Sequence, residues 1–127
     1  MIDALFNQTN YQATKKLLDA TALRHEAIAS NLANLETPGY RRVDVAPSFS
    51  AELQQALKSG SADRLASLRP ALALDPDAIA SNRDGNSVQL ETEMLHLNQN
   101  TLAHTMETQL LTGQLMRLRL AITGRPA

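Results

Sequence analysis

The sequence predicts an all-α, elongated chain whose long N- and C-terminal helices pack as an antiparallel coiled-coil-like pair. A largely irregular middle segment containing a short helix joins them. Three observations lead to this reading: apolar residues recur at helical spacing over both ends of the 127-residue chain, a Thr37-Pro38-Gly39-Tyr40 turn interrupts the first run, and aromatics make up only 3% of residues. The large rigid side chains of a layered core are therefore scarce, whereas Leu and Ala suit helices lying side by side. The length fits one modest domain, read as a first helix over 1–36, a turn, short helix and loop over 37–87, and a second helix over 88–123.

From about Asn10 to Leu35, the residues Tyr11, Thr14, Leu18, Thr21, His25, Ile28, Leu32 and Leu35 recur at steps of three and four, which marks one helical face. Ala22 and Ala29 broaden it, and Lys15, Lys16, Asp19, Arg24 and Glu26 fall mostly off it. At ~1.5 Å per residue this helix would run on the order of 40 Å. Threonines and a histidine stand where a self-sufficient helix would carry leucine, so its stability should depend on what packs against it. Pro38 has no backbone N–H and keeps Thr37 out of the α region, so the helix should stop at about Asn34 to Glu36. Gly39 takes the positive φ of a Pro-Gly turn at little cost, and Tyr40, Arg41 and Arg42 follow it.

Val43 and Val45 alternate with Arg42, Asp44 and Ala46, which reads as a short extended piece. Phe49, Leu53 and Leu57, four apart, predict a short amphipathic helix that starts at Pro47 or Ser48 and ends at Ser59-Gly60. From Ser61 to Ser87 no period is sustained, and Asp75-Pro76 and Asn82-Arg83-Asp84-Gly85-Asn86 are turn clusters. That region reads as mostly loop, with a small strand pair around Ala71 to Ile79.

The last segment has the clearest pattern. Leu90, Met94, Leu97, Thr101, His104, Thr108, Leu111, Leu115, Leu118 and Ile122 alternate steps of four and three, a heptad seam on a helix about 50 Å long at ~1.5 Å per residue. Its apolar members, Leu90, Met94, Leu97, Leu111, Leu115, Leu118 and Ile122, are the candidate packing residues. Glu91 and Glu93 in the first turn and Arg117 and Arg119 near the last suit the helix dipole, and Gly124 and Pro126 supply a stop. A second line of Leu95, Leu102, Met106 and Leu110 flanks the polar centre of the seam. This helix should therefore have more than one neighbour, the first helix being one of them.

The composition argues against several classes of function. A formal charge of −1 gives no basic stripe for nucleic acid, and without cysteine there is neither a disulfide framework nor a thiolate metal site. His25, His96 and His104 lack the spacing of a zinc-protease helix, and no phosphate loop or nucleophile elbow occurs. Met94, Met106 and Met116 read as packing residues. No catalytic residue, metal or cofactor is expected. The first residues lack a basic secretory n-region, and no 18-residue apolar run exists, which taken alone suggests a soluble cytoplasmic protein without a transmembrane segment.

The decamer Asn31-Leu32-Ala33-Asn34-Leu35-Glu36-Thr37-Pro38-Gly39-Tyr40 resembles the signature of the bacterial flagellar rod and hook proteins, the axial proteins of the basal body. The stretch Asp84-Gly85-Asn86-Ser87-Val88-Gln89-Leu90-Glu91-Thr92-Glu93-Met94 is similar to the Gly-Asn-x-Val-Asp-Leu-x-x-Glu-Met segment of the family's short proximal-rod members, with Gln89 in place of the aspartate. The resemblance covers both ends well and Pro47 to Asn82 poorly. It implies a single rod-type domain and a non-enzymatic structural subunit, whose terminal helices stack into the hollow drive shaft that transmits torque and encloses the export channel. The partners implied are copies of the chain itself, FlgC, FlgF and the distal rod protein, the adaptor FliE, and the export gate or MS ring. The location implied is the periplasmic rod, reached by type III export without a cleavable signal peptide. On this resemblance Asn31, Leu32, Ala33, Asn34, Thr37, Pro38, Gly39 and Tyr40 are candidates for subunit contacts. Read without it, Asn31 and Asn34 divide evenly between buried amide hydrogen bonding across subunit contacts and helix-end chemistry. The heptad seam by itself would equally fit a soluble coiled-coil adaptor or an export chaperone.

Overall fold

The computed structural model describes residues 8–125. Along the chain run α1 (Thr9–Ala33), β1 (Val43–Val45), α2 (Pro47–Ser59), α3 (Ala62–Ser67), β2 (Leu72–Leu74) and α4 (Leu90–Thr123). The long helices pair antiparallel, as expected: Gln114 meets Thr14, Glu107 meets Thr21 and Glu93 meets Asn31. α1 ends where Pro38 requires, with Asn34 as its C-cap. In the turn that follows, Tyr40 N–H donates to the Thr37 carbonyl at 3.2 Å and Gly39 sits at φ +71°, the position where a side chain would be strained.

Outside α3 and β2 the stretch 61–87 is irregular, as expected, but the chain is not purely helical. β1 and β2 form a two-stranded antiparallel sheet that pairs Val43 with Leu74, Asp44 with Ala73 and Val45 with Leu72. The extended piece at 43–45 thus finds its partner across α2 and α3, and not in a local hairpin near Ala71 to Ile79. α2 matches its predicted bounds, with Pro47 in its first turn and Gly60 closing it in the left-handed conformation. α3 is additional; the Ser61 side chain caps it by accepting from Arg64 N–H at 3.3 Å.

These short elements hold the apolar core. Val45, Phe49, Leu53, Ala56 and Leu65 pack together, with Ala20 and Leu23 of α1 and Leu68 against them. Leu65 is fully buried, a contribution of about 2–3 kcal/mol relative to exposure. α1 therefore lies between two layers, turning Thr14 and Thr21 toward α4 and Ala20 and Leu23 toward the short elements. Ala22, His25 and Ala29, expected on the buried face, are exposed, whereas Lys16, expected off it, is buried. Burial, then the charge of Arg69, lowers the Lys16 pKa, and Asp19 at 3.7 Å opposes that only in part. Among the described residues no helix is long and apolar enough to cross a membrane.

Candidate assembly interface

The two sequence motifs are knitted to each other. Gly39 N–H donates to the Asp84 carbonyl at 2.8 Å, Ser87 N–H to the Tyr40 carbonyl at 3.0 Å, and Arg42 N–H to Ser87 Oγ at 2.8 Å. Asn86 completes the junction. Fully buried, its amide donates to the carbonyls of Asn34, Leu35 and Thr37 at 2.9, 3.1 and 2.9 Å, while Oδ1 accepts from Val88 N–H at 2.7 Å. These carbonyls lie just past the end of α1, and those of Asn34 and Thr37 also accept from Thr37 N–H and Tyr40 N–H, so the amide ties an already formed turn to the second motif.

Asn31 is also spent inside the subunit. Its Oδ1 accepts from Val43 N–H at 3.0 Å and its Nδ2 donates to the Val43 carbonyl at 2.9 Å, as a neighbouring strand would. The same amide reaches Glu93 Oε2 at 3.3 Å, and Tyr40 Oη donates to Oδ1 at 3.3 Å. This corrects the expectation that Asn31 bonds across a subunit contact, since the residue has no exposed surface. Asn34 works locally, donating to the Ser30 carbonyl at 2.8 Å and accepting from Thr37 Oγ1 at 3.1 Å. Leu32 and Tyr40 are half-buried, and Ala33, Thr37, Pro38 and Gly39 are exposed on the outside of the turn.

Arg42 and Glu93 form the charged centre beside it, and the sequence reading missed both. Arg42 Nε donates to Glu93 Oε1, and Nη1 donates to Asp75 Oδ2 at 2.7 Å and Asp44 Oδ2 at 3.1 Å. Burial works against the Arg42 charge, but the bonds to Glu93 and Asp44 outweigh it and raise its pKa. Burial likewise opposes the Asp44 charge, yet bonding to Arg24 at 2.8 Å and to Val45 N–H holds its carboxyl below the ordinary value. Glu93 is no surface group completing a helix dipole: it is fully buried, and its partner lies 51 residues away.

The seam between α1 and α4 is polar. Glu93, Asn100, Glu107 and Gln114, each seven residues from the next, face α1 and bond to Asn31, Thr21, Thr21 and Thr14. Of the predicted packing residues, Leu97, Leu111 and Leu118 are half-buried beside this ladder. Leu90, Met94, Leu115 and Ile122 are exposed. At roughly 100° per residue, Leu95, Leu102, Met106 and Leu120 lie within about 40° of the face opposite Glu93. Each of these four is between 46% and 63% exposed. On the flank, Thr101, Thr105, Thr108 and Thr112 turn their hydroxyls back to the carbonyls four residues earlier, at 2.7–2.9 Å. The helix thus turns a polar ladder, flanked by Leu97, Leu111 and Leu118, toward its partner and leaves most of its other leucines and methionines toward solvent.

Comparison with known proteins bears on this arrangement. A family model described as "Flagella basal body rod protein" matches residues 18–41, the stretch from mid-α1 through the turn. The chain is 32% identical over 113 residues to the flagellar basal body rod protein FlgB of Borrelia hermsii, covering 75% of this chain and 82% of the relative. It is 30% identical over 131 residues to FlgB of Escherichia coli K12, covering 91% and 92%. The chain belongs to the FlgB family of flagellar basal body rod proteins. A FlgB of Cereibacter sphaeroides is similar at 33% identity over 109 residues, covering 80% and 84%. For a FlgB-family chain a structural role in the rod follows, and a basal-body location with it. Among the described residues no group of three or more His, Asp or Glu is arranged to hold a metal.

Proposed function

We propose that this chain is a non-enzymatic subunit of the proximal rod, assembling through its terminal helices into the hollow drive shaft that transmits torque and encloses the export channel. The observation that carries the reading is the outward apolar face of α4, with Leu95, Leu102, Met106 and Leu120 exposed in the single subunit. Exposed apolar area of this extent on one side of a helix mismatches water and matches a neighbouring helix. The predicted packing residues left uncovered by α1, Leu90, Met94, Leu115 and Ile122, take inter-subunit roles in this reading. The exposed turn residues Ala33, Thr37, Pro38 and Gly39 contact a neighbour beside them. The partners are copies of this chain, FlgC, FlgF and the distal rod protein, FliE, and the export gate or MS ring, and the site is the periplasmic rod.

The test is Leu102→Glu. In a free subunit the new carboxylate stays in water, so the fold and thermal midpoint should hold. In an assembled rod it would be buried without a partner at a cost of several kcal/mol, so the variant should be missing from purified basal bodies and cells should lose swimming. Normal incorporation of the folded variant would overturn the proposal. A second readout is helicity: far-UV circular dichroism of the free subunit should show less helix than the assembled form, because neighbours stabilise what they bury.

A further inference from the structure

The two edges of the small sheet are treated differently. Asp75 N–H donates to the Arg42 carbonyl and Ala46 N–H to the Ala71 carbonyl, which fixes the alternation of the ladder and turns the N–H and C=O groups of Leu72 and Leu74 away from β1. On β1, the outward N–H and C=O of Val43 are both satisfied by the Asn31 amide. On β2, no strand covers the corresponding groups among the described residues, and the side chains of Leu72 and Leu74 are 42% and 50% exposed. An open, apolar edge of this kind is a template for another strand.

A second, independent observation lies beside it. A cavity of about 810 Å³ is bounded by Leu74, Pro76, Ile79 and the start of α4, and Arg42 lines it. Arg42 is 5% exposed, and its Nη2 has no partner among the described residues. Nη2 is closed to solvent, so it stays an internal group and the acidic lining decides what the cavity admits. Four carboxylates, Asp44, Asp75, Asp77 and Glu93, already line the cavity against the two arginines Arg24 and Arg42. A further carboxylate would be repelled, whereas a backbone carbonyl, amide or hydroxyl oxygen would be accepted.

We propose that β2 and this cavity receive an extended strand from a different protein chain, one with alternating apolar side chains and no acidic residues. A second copy is a poor occupant. β1 has both edges used, and β2 paired with another β2 makes a two-fold contact that closes on itself, which a polar, propagating rod excludes. This last step rests on the rod reading; the open edge and the acidic lining do not.

Selection of a seven-residue peptide display library on the purified full chain, followed by amide exchange measured by NMR, tests it. The Leu72 and Leu74 amides should exchange freely in the chain alone and slow by about tenfold or more with the best selected peptide. Selected peptides should alternate apolar and neutral polar residues and lack Asp and Glu. Leu74→Pro removes one outward N–H without touching the β1 ladder, and Leu74→Lys blocks the edge by charge while keeping the backbone; each should abolish the peptide effect. The inference falls if both amides are already protected in the free chain, if acidic peptides are selected, if no peptide is enriched, or if a folded edge variant still binds. Leu102→Glu should bind peptide normally, so loss of strand binding with that variant still excluded from rods sinks only this inference.

Discussion

Asn86 offers the sharpest test of how the two halves of the chain are joined. Asn86→Ala removes an amide whose two hydrogens serve three carbonyls and an oxygen that accepts from Val88 N–H. Two donor bonds and one acceptor bond at about 1 kcal/mol each, plus the desolvation cost of leaving the Val88 N–H buried and unpaired, give a loss of about 4 kcal/mol. With a urea slope of about 1.5 kcal/mol/M for a chain of this size, the midpoint should fall by about 2.5 M. Asn86→Asp separates the two functions of the side chain. The carboxylate still accepts from Val88 N–H but faces three carbonyl oxygens, so its folded pKa must rise above the unfolded value. The variant should then be least stable near neutrality and recover as pH falls through that raised pKa. Urea denaturation followed at 222 nm between pH 3 and 7 (about that span brackets an ordinary Asp) reads both effects. An Asn86→Ala chain within about 0.5 kcal/mol of the parent would refute the reasoning, because a surface residue behaves that way.

Further outcomes follow from the same interior. Glu93→Ala strands Arg42 Nε and removes one of the two acceptors of Asn31 Nδ2, and should cost about 3–5 kcal/mol, while the exposed Glu91→Ala should cost under about 0.5, both read by urea unfolding. Asp44 has a depressed carboxyl pKa, so its contribution is complete above about pH 4, the unfolded value, and is lost as pH falls through the lower folded value. An acid titration of stability should flatten in Asp44→Asn over that window. Asn100→Leu should be neutral or stabilising by about 1 kcal/mol, since Asn100 Oδ1 is buried without a partner among the described residues and Thr21 O belongs to a helical ladder; a loss of several kcal/mol would show that the polar seam is needed for stability itself.

What the sequence made legible was local. Pro38 and Gly39 stop α1, and Pro47 and Gly60 bound α2, because each acts on its own backbone. Both strands were read, at 43–45 and within 71–79, but not their pairing with each other, because β1 and β2 are joined across two helices. Arg42 and Glu93 looked like surface charges since nothing in the intervening chain says that they meet. The heptad reading of α4 took apolar residues as the line facing its partner. An equally regular line, Glu93, Asn100, Glu107 and Gln114, was in the sequence with steps of seven, but the assumption that apolar means inward passed it over. The signal that could have found it is that Glu93, Asn100, Glu107 and Gln114 alternate at steps of four and three with Leu97, Leu111 and Leu118, so that the two sets share one face.

That choice of faces has an energetic meaning. If α4 presented its leucines to α1, the pair would be stable alone and the outer face would be polar, leaving little free energy for association. With Glu107 and Gln114 turned inward onto threonines, the seam fixes register through hydrogen bonds worth about 1 kcal/mol each, and most of the helix's apolar area remains to be buried by others. The threonine flank works in the same direction, because a hydroxyl already bonded to its own helix leaves only a methyl for a neighbour. The knot of Asn86, Asn31 and Arg42 then has to hold one end of the pair together until neighbours arrive, which is why both sequence motifs converge there and neither lies on the half of α4 that projects away from it.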